Sequence, residues 1–252
     1  SSRDINTYTI SFPDSNLHKG FDEASYAKKV ASYISSRHHE IPVTHSEAQA
    51  LIPDLCNVYS EPFADLSQIP TSLLCGVTKK SGITVALTGD GGDELLGGYY
   101  RLKTHLKKKN YISKVVSKLY SIYPTFLGTG SKFKSLDSND FEAYVSYLED
   151  SKFIKLLGIS QLPQNLRMKM NNEDPLYKSL LALEYKYYLA DQMMFKVDRT
   201  SMAHSVEVRS PLVDHKLVEY IFSHSFEYFG SNNQKLPLQN YLSNDFSQDF
   251  LN

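Results

Sequence analysis

The sequence predicts an α/β protein, with a parallel sheet in roughly its first hundred residues and a mainly helical second half. Three observations predict it. Asn6 to Phe12 (NTYTISF) is a β-branched and aromatic run closed by the turn formers Pro13-Asp14-Ser15-Asn16. Ile83 to Leu87 (ITVAL) is a second short, nearly all-apolar run, the pattern of a parallel strand covered on both faces. Between them lie segments of helical periodicity, and strands alternating with helices argue for a parallel sheet.

Taken in order, the first run reads as a buried strand ending in a loop. From Asp22 the apolar positions Ala24, Ala27, Val30, Ala31 and Ile34 recur at helical spacing, and Glu40 to Val43 then gives a short extended run, completing a βαβ unit. A second helix is expected over Ser46 to Tyr59 and a third over Ile69 to Ser81, ahead of the ITVAL strand. After Tyr99 no equally clear strand-like run follows. Helical patterns separated by Pro124, Gly128, Gly130 and Pro163 take over, the sharpest being Leu176 to Met202, where Leu180, Leu183, Tyr187, Leu189, Met193 and Met194 indicate buried faces. The organisation read from this is one domain over 1–252, with an α/β part over 1–100 and a helical part over 101–252.

Bulk properties narrow the function. A chain of 252 residues with 41% hydrophobic and 22% charged residues is large enough to bury a substantial core. Its net charge of -1 gives no global electrostatic case for nucleic acid or an anionic membrane, and no stretch approaches the roughly 20 apolar residues of a membrane span. The two cysteines, Cys56 and Cys75, form neither a disulfide framework nor a Cys-x-x-Cys pair, and read as reduced cytoplasmic thiols. Lys103 with Lys107, Lys108 and Lys109 is the one marked basic cluster, read as a solvated helix face. The chain opens at Ser1 and ends in NYLSNDFSQDFLN without a terminating Gly or Pro, so it reads as part of something longer.

The stretch Leu87 to Tyr99 (LTGDGGDELLGGY) carries the most chemistry. It follows the ITVAL strand directly, and in an open parallel sheet ligands bind beyond the carboxyl ends of strands. Gly89, Gly91 and Gly92 permit positive φ and close backbone approach. Asp90 and Asp93, with Glu94 beside them, supply carboxylate oxygens suited to a Mg²⁺ that is shared with phosphates. A simple capped turn is the competing reading, but capping uses one acidic residue and needs no glycine-rich loop. The pattern is neither a Walker loop nor a dinucleotide fingerprint.

Lys196 to His215 (KVDRTSMAHSVEVRSPLVDH) gathers Lys196, Asp198, Arg199, His204, Glu207, Arg209, Asp214 and His215 among core-type residues. That density fits either a functional cluster or a buried ion-pair network. His204 lacks a second His at metal-ligand spacing, and His38-His39-Glu40 are neighbours whose side chains diverge on a strand.

Six ordered blocks together carry a resemblance: YTISF, GFDEASYAKKVA, HHEIPVT, EPFADLSQIPT, LTGDGGDELLGGY and KVDRTSMAHSVEVRSPLVDH. In order and rough spacing they resemble the synthetase domain of the glutamine-hydrolysing asparagine synthetases. The resemblance implies an ATP-pyrophosphatase-type α/β fold, in which ATP activates a carboxylate, aspartate in that family, as an acyl-adenylate that ammonia then attacks. It implies that Ile10 contacts adenine, that Thr88, Gly89 and Gly91 line the nucleotide site and that Asp93 holds Mg²⁺. Asp90 stands where asparagine synthetases commonly have Glu and the β-lactam synthetases Tyr, a position linked to proton transfer or to handling the incoming nucleophile. Glu207 and Arg209 match the family's Glu-x-Arg pair, which orients substrate or braces the domain.

The departures set further expectations. Residues 1–252 contain neither the family's Ser-Gly-Gly-x-Asp-Ser pyrophosphate loop nor its later Lys-x-Gly-Phe lysine, and they hold no glutaminase half to make ammonia. Little turnover is therefore expected of this chain alone. The small-molecule partners implied are ATP, aspartate and ammonia, in a cytoplasmic protein compatible with a homodimer. The shorter Asp90 keeps open a relative that amidates a sugar acid or peptide or closes a ring, and a non-catalytic binding module is the third reading.

Overall fold

The computed structural model describes residues 5–13, 23–99, 101–102, 176–224, 235–247 and 250. These form a mixed α/β arrangement, mostly helical, whose four strands make two parallel pairs. The basic cluster at Lys103 to Lys109 and the helical patterns of 103–175 lie outside the described residues. The chain divides into two compact units: one takes 1–88 with 192–211, the other 89–191 with 212–252.

In the first unit, β1 (Asn6–Ser11), α1 (Ala24–Tyr33) and β2 (Arg37–Pro42) form the expected βαβ unit. The strands run parallel, with Asn6 opposite Arg37 and Ile10 opposite Ile41. The second strand starts earlier than its apolar residues indicate, because backbone pairing with β1 recruits Arg37 and His38 whatever their side chains. Their polar groups find partners across the pair. Thr7 Oγ1 lies 3.0 Å from His38 Nδ1, and His39 Nε2 lies 3.0 Å from Asn6 Oδ1.

The single helix expected over 46–59 is three pieces: α2 (His45–Leu51), a 3₁₀ turn (Ile52–Asp54) and α3 (Leu55–Val58). Pro53, which lacks an amide hydrogen and crowds the preceding turn, forbids a continuous helix. A capping box starts α2, with the Glu47 amide donating to Thr44 Oγ1 and the Thr44 amide donating to Glu47 Oε2. Next, α4 (Gln68–Lys80) buries Ser72, Cys75 and Thr78 and packs on β1.

β3 (Val85–Leu87) is where expected, but it is not covered on both faces: Val85 is 45% and Leu87 72% exposed. Its partner, β4 (Glu207–Arg209), falls in the half read as mainly helical. The residues Glu-Val-Arg carry no strand signal, and they are extended because they pair in parallel with β3, Val85 opposite Glu207 and Leu87 opposite Arg209.

In the second unit, α5 (Gly92–Leu96) leads into a core with α6 (Leu176–Leu183), where Leu180 and Leu181 are buried and Leu95 and Leu102 pack with them. Each such leucine contributes roughly 1.5–3 kcal/mol by leaving water. The long helical pattern of 176–202 is α6, then a π-helical stretch Glu184–Met194, then α7 (Phe195–Ala203), which belongs with the first unit. The π stretch adds a residue per turn, which re-aims side chains along the helix. A 3₁₀ turn (Pro211–Val213), α8 (His215–Ser223) and α9 (Leu236–Leu242) follow. Among the described residues no helix is long and apolar enough to cross a membrane.

Candidate functional site

Of the residues to which the resemblance gives a role, Ile10, Thr88, Glu207 and Arg209 lie in the first unit. Ile10 sits half-buried near the carboxyl end of β1. Thr88 follows β3, and its amide donates to the Arg209 carbonyl at 3.0 Å, prolonging the β3–β4 ladder by one bond. Glu207 and Arg209, two positions apart on β4, present their side chains on one face of the pair. Arg209 Nε donates to Glu207 Oε1 at 2.7 Å, with side chains 65% and 55% exposed. A pair this exposed adds at most about 1 kcal/mol to stability, so its two charges are available to a ligand.

The second unit carries the glycine loop. The Gly92 amide donates to the Gly89 carbonyl at 3.2 Å, making a tight turn, and the Leu95 amide donates to the Gly91 carbonyl to start α5. Gly91 alone of the three loop glycines has positive φ, at 87°, and a Cβ there would stand 2.6 Å from Val213 Cγ1. Gly89 has ordinary φ and open space where a Cβ would go. Only Gly91 therefore fulfils both the conformational freedom and the close approach expected of the loop.

Asp93 lies in the first turn of α5, its side chain 40% exposed, and its Oδ1 is 2.9 Å from Lys235 Nζ. Sequence reasoning missed Lys235, which sits in an unremarkable segment (NNQKLPL) and becomes relevant only through the tertiary contact. Glu94 turns the other way and is buried at 3% exposure, where its Oε1 accepts from Tyr99 Oη at 2.6 Å. Burial pushes its carboxyl above the ordinary glutamate range, against the opposing effect of the Tyr99 hydrogen bond. Burial and the same hydrogen bond push the Tyr99 phenol up. Nearby, the Arg101 guanidinium lies 4.0 Å from the centre of the Tyr99 ring and 4.2 Å from that of Tyr188. It makes a two-pronged ion pair with the fully buried Glu184, at 2.7 and 2.5 Å.

The charged cluster of 196–215 resolves largely into bracing. Lys196 is buried, its Nζ donating to Ser67 Oγ at 2.6 Å and standing 3.5 Å from Asp65 Oδ2, so it clasps the EPFADLSQ segment to α7. Tyr59 Oη adds a short hydrogen bond with Thr200 Oγ1 in the same interior. His204 Nε2 is 2.8 Å from Ser72 Oγ, and burial followed by the nearby Lys80 charge pulls its pKa down. Asp214 caps α8 by accepting from the Lys216 amide. Cys75 is buried, which pushes its thiol up to about 11 and leaves it inert.

No group of three or more His, Cys, Asp or Glu among the described residues is placed to hold a metal with protein ligands alone. A single half-exposed carboxylate such as Asp93 fits Mg²⁺ in its usual mode, bound through one or two carboxylates plus phosphate oxygens and water.

Comparison with known proteins adds the lineage. The family model for asparagine synthase matches residues 1–244. A Methanocaldococcus jannaschii protein provisionally named asparagine synthetase [glutamine-hydrolyzing] 2 is 28% identical over 79% of this chain and 40% of its own length. Asparagine synthetase [glutamine-hydrolyzing] 1 of Bacillus subtilis is 24% identical over 83% of this chain and 35% of its own length. The chain thus spans well under half the length of the curated relatives it matches.

Proposed function

The chain belongs to the asparagine synthase family, and from that premise we propose that it is the synthetase part of an ATP-dependent amide-forming ligase with aspartate as the carboxylate substrate. In this reading the carboxylate attacks the α-phosphorus of ATP, giving an acyl-adenylate and pyrophosphate. Ammonia then attacks the acyl carbon and AMP leaves, so that asparagine, AMP and pyrophosphate are the products. The ATP-pyrophosphatase type of sheet, a cytoplasmic location and a homodimer belong to the same proposal. Ammonia would come from a glutaminase domain elsewhere.

The observation that carries the reading is the glycine loop at the carboxyl end of β3, with Gly91 in a left-handed turn and Asp93 turned to solvent at 40% exposure. A loop at that point in an α/β protein is where phosphate-bearing ligands dock. By the family resemblance, Ile10 and Thr88 would contact the nucleotide, Gly89 and Gly91 would let the chain approach it, and Asp93 would hold Mg²⁺. Bound Mg²⁺ would offset charge on the phosphate chain. Asp90 would accept a proton from the attacking nitrogen, because amide formation from ammonia releases one. Glu207 and Arg209 would orient the amino-acid substrate by their paired charges.

Two measurements test this. Calorimetry of ATP with the folded chain should show Mg²⁺-dependent binding that Asp93→Ala abolishes. ATP–pyrophosphate exchange by the natural gene product should depend on aspartate. Exchange supported by another carboxylate, or by none added, would move the assignment to a relative that amidates a sugar acid or peptide or closes a ring. A natural product that binds no ATP would be a binding module instead.

A further inference from the structure

The glycine-loop motif holds two residues that the ligand reading leaves unused, Glu94 and Tyr99. Glu94 is buried at 3% exposure, next in sequence to the core leucines Leu95 and Leu96. Burying a carboxyl group costs free energy that an apolar side chain there would not, so Glu94 calls for a role besides filling the interior. Its Oε1 accepts from Tyr99 Oη at 2.6 Å, a bond that closes the chain on itself across the Gly97–Gly98 turn. That turn is what Asp93 rests on. Gly97 is left-handed, φ 67°, and packs so close to Tyr177 that a Cβ would stand 2.7 Å from Tyr177 Oη. The Gly98 amide donates to the Asp93 carbonyl at 2.9 Å, and a Cβ on Gly98 would overlap Asp93 Oδ1 and stand 2.8 Å from Asp93 Cγ. The Asp93 carboxylate is thus seated directly on the Gly98 backbone, on a turn that the Glu94–Tyr99 bond ties down. Tyr99 is itself fixed: its ring stacks on the Arg101 guanidinium and meets Tyr188 edge-on at 5.4 Å, and Arg101 is pinned by the buried Glu184.

We propose that Tyr99, through its hydrogen bond to Glu94, is a positioning residue for Asp93: it holds the Gly97–Gly98 turn against the carboxylate and so fixes the direction in which Asp93 meets a divalent cation. This rests on the nucleotide reading of the glycine loop and adds to it the group that aims its metal ligand. Mg²⁺ demands near-ideal octahedral geometry, so a carboxylate free to turn binds it less well than one held still. A tyrosine suits the task. Its rigid ring reaches across the turn at low cost in side-chain entropy, and its hydroxyl gives one directed hydrogen bond.

The experiment is calorimetric titration of the 252-residue chain with ATP, over a series of Mg²⁺ concentrations and in EDTA, for wild type and the Tyr99→Phe, Glu94→Ala and Glu94→Gln variants. Each variant is first shown to melt cooperatively. Tyr99→Phe keeps the ring on Arg101 and removes only the hydrogen bond. It should raise the Mg²⁺ concentration at half effect roughly tenfold while ATP affinity in EDTA stays within about twofold of wild type, the mark of a lost metal-orienting contact. Glu94→Ala, which removes the acceptor, should do the same. Glu94→Gln keeps an oxygen for Tyr99 Oη and should hold the Mg²⁺ requirement within about threefold of wild type. A folded Tyr99→Phe variant with the wild-type Mg²⁺ requirement, or with ATP binding weakened equally in Mg²⁺ and in EDTA, overturns the positioning role and leaves the nucleotide reading standing. Should Tyr99→Phe not fold, the two Glu94 variants decide, and equal Mg²⁺ requirements in them overturn the role. A folded wild-type chain that binds no ATP overturns the nucleotide reading and this proposal with it.

Discussion

Gly91 is the position in the glycine loop where a side chain is least tolerable, for two separate reasons. Its φ of 87° disfavours any residue with a Cβ, and that Cβ would meet Val213 Cγ1 at 2.6 Å. Strain of about 1 kcal/mol from the first and roughly 1–3 kcal/mol from overpacking in the second make Gly91→Ala destabilising by about 2–4 kcal/mol. Gly89→Ala, with ordinary φ and open space, should leave stability within about 0.5 kcal/mol of wild type. Urea denaturation of the two variants checks this, and equal midpoints would show that the turn relaxes freely. The same contrast marks how far the sequence could be read. Three loop glycines with two aspartates raise the expectation of a ligand loop, but nothing in their order tells which one must be left-handed. The close approach of Val213, which leaves no room for a Cβ at Gly91, is likewise brought from far along the chain by the fold. Lys235 was illegible for the same reason, since its relevance to Asp93 is purely tertiary.

At the scale of elements, α5 holds two neighbouring acids in opposite situations: Asp93 faces solvent and Glu94 is buried beneath Tyr99. A glutamate whose folded pKa is raised binds its proton more tightly folded than unfolded. Its contribution to stability is therefore present below the ordinary value of 4.5 and is lost as pH rises from there through the raised folded value. Glu94→Gln keeps an oxygen to accept from Tyr99 Oη and removes the proton linkage. The variant should be more stable than wild type at neutral pH and show less stability loss across the acid-to-neutral range, measured by thermal melting against pH. A wild-type curve parallel to that of the variant would show that Glu94 is not titrating there. Elements of strong local signal, β1, α1 and α4, were legible in the chain. Those set by pairing or by a break in the helical ladder were not. β4 is extended only because β3 lies beside it, and the π stretch of 184–194 begins at the buried Glu184, whose place is fixed by Arg101.

For the molecule as a whole, the exposed apolar surface of the first unit governs behaviour in solution. Val85 and Leu87 project from β3, 45% and 72% exposed, on the same face as Glu207 and Arg209, and Leu66 is 92% exposed. Among the described residues β1 pairs only with β2 and β3 only with β4, so each pair has strand edges that a further strand could join. Two-stranded sheets with an uncovered apolar face are prone to associate. A net charge of -1 supplies little repulsion to oppose it. The isolated 252-residue chain should therefore self-associate as its concentration rises, and Leu87→Lys, which puts a charge on the exposed face without touching a buried contact, should shift it toward the monomer. Sedimentation velocity over a concentration series reads this directly. If wild type stays monomeric at all concentrations, the face is protected in solution; if Leu87→Lys associates as readily as wild type, the contact runs through another surface.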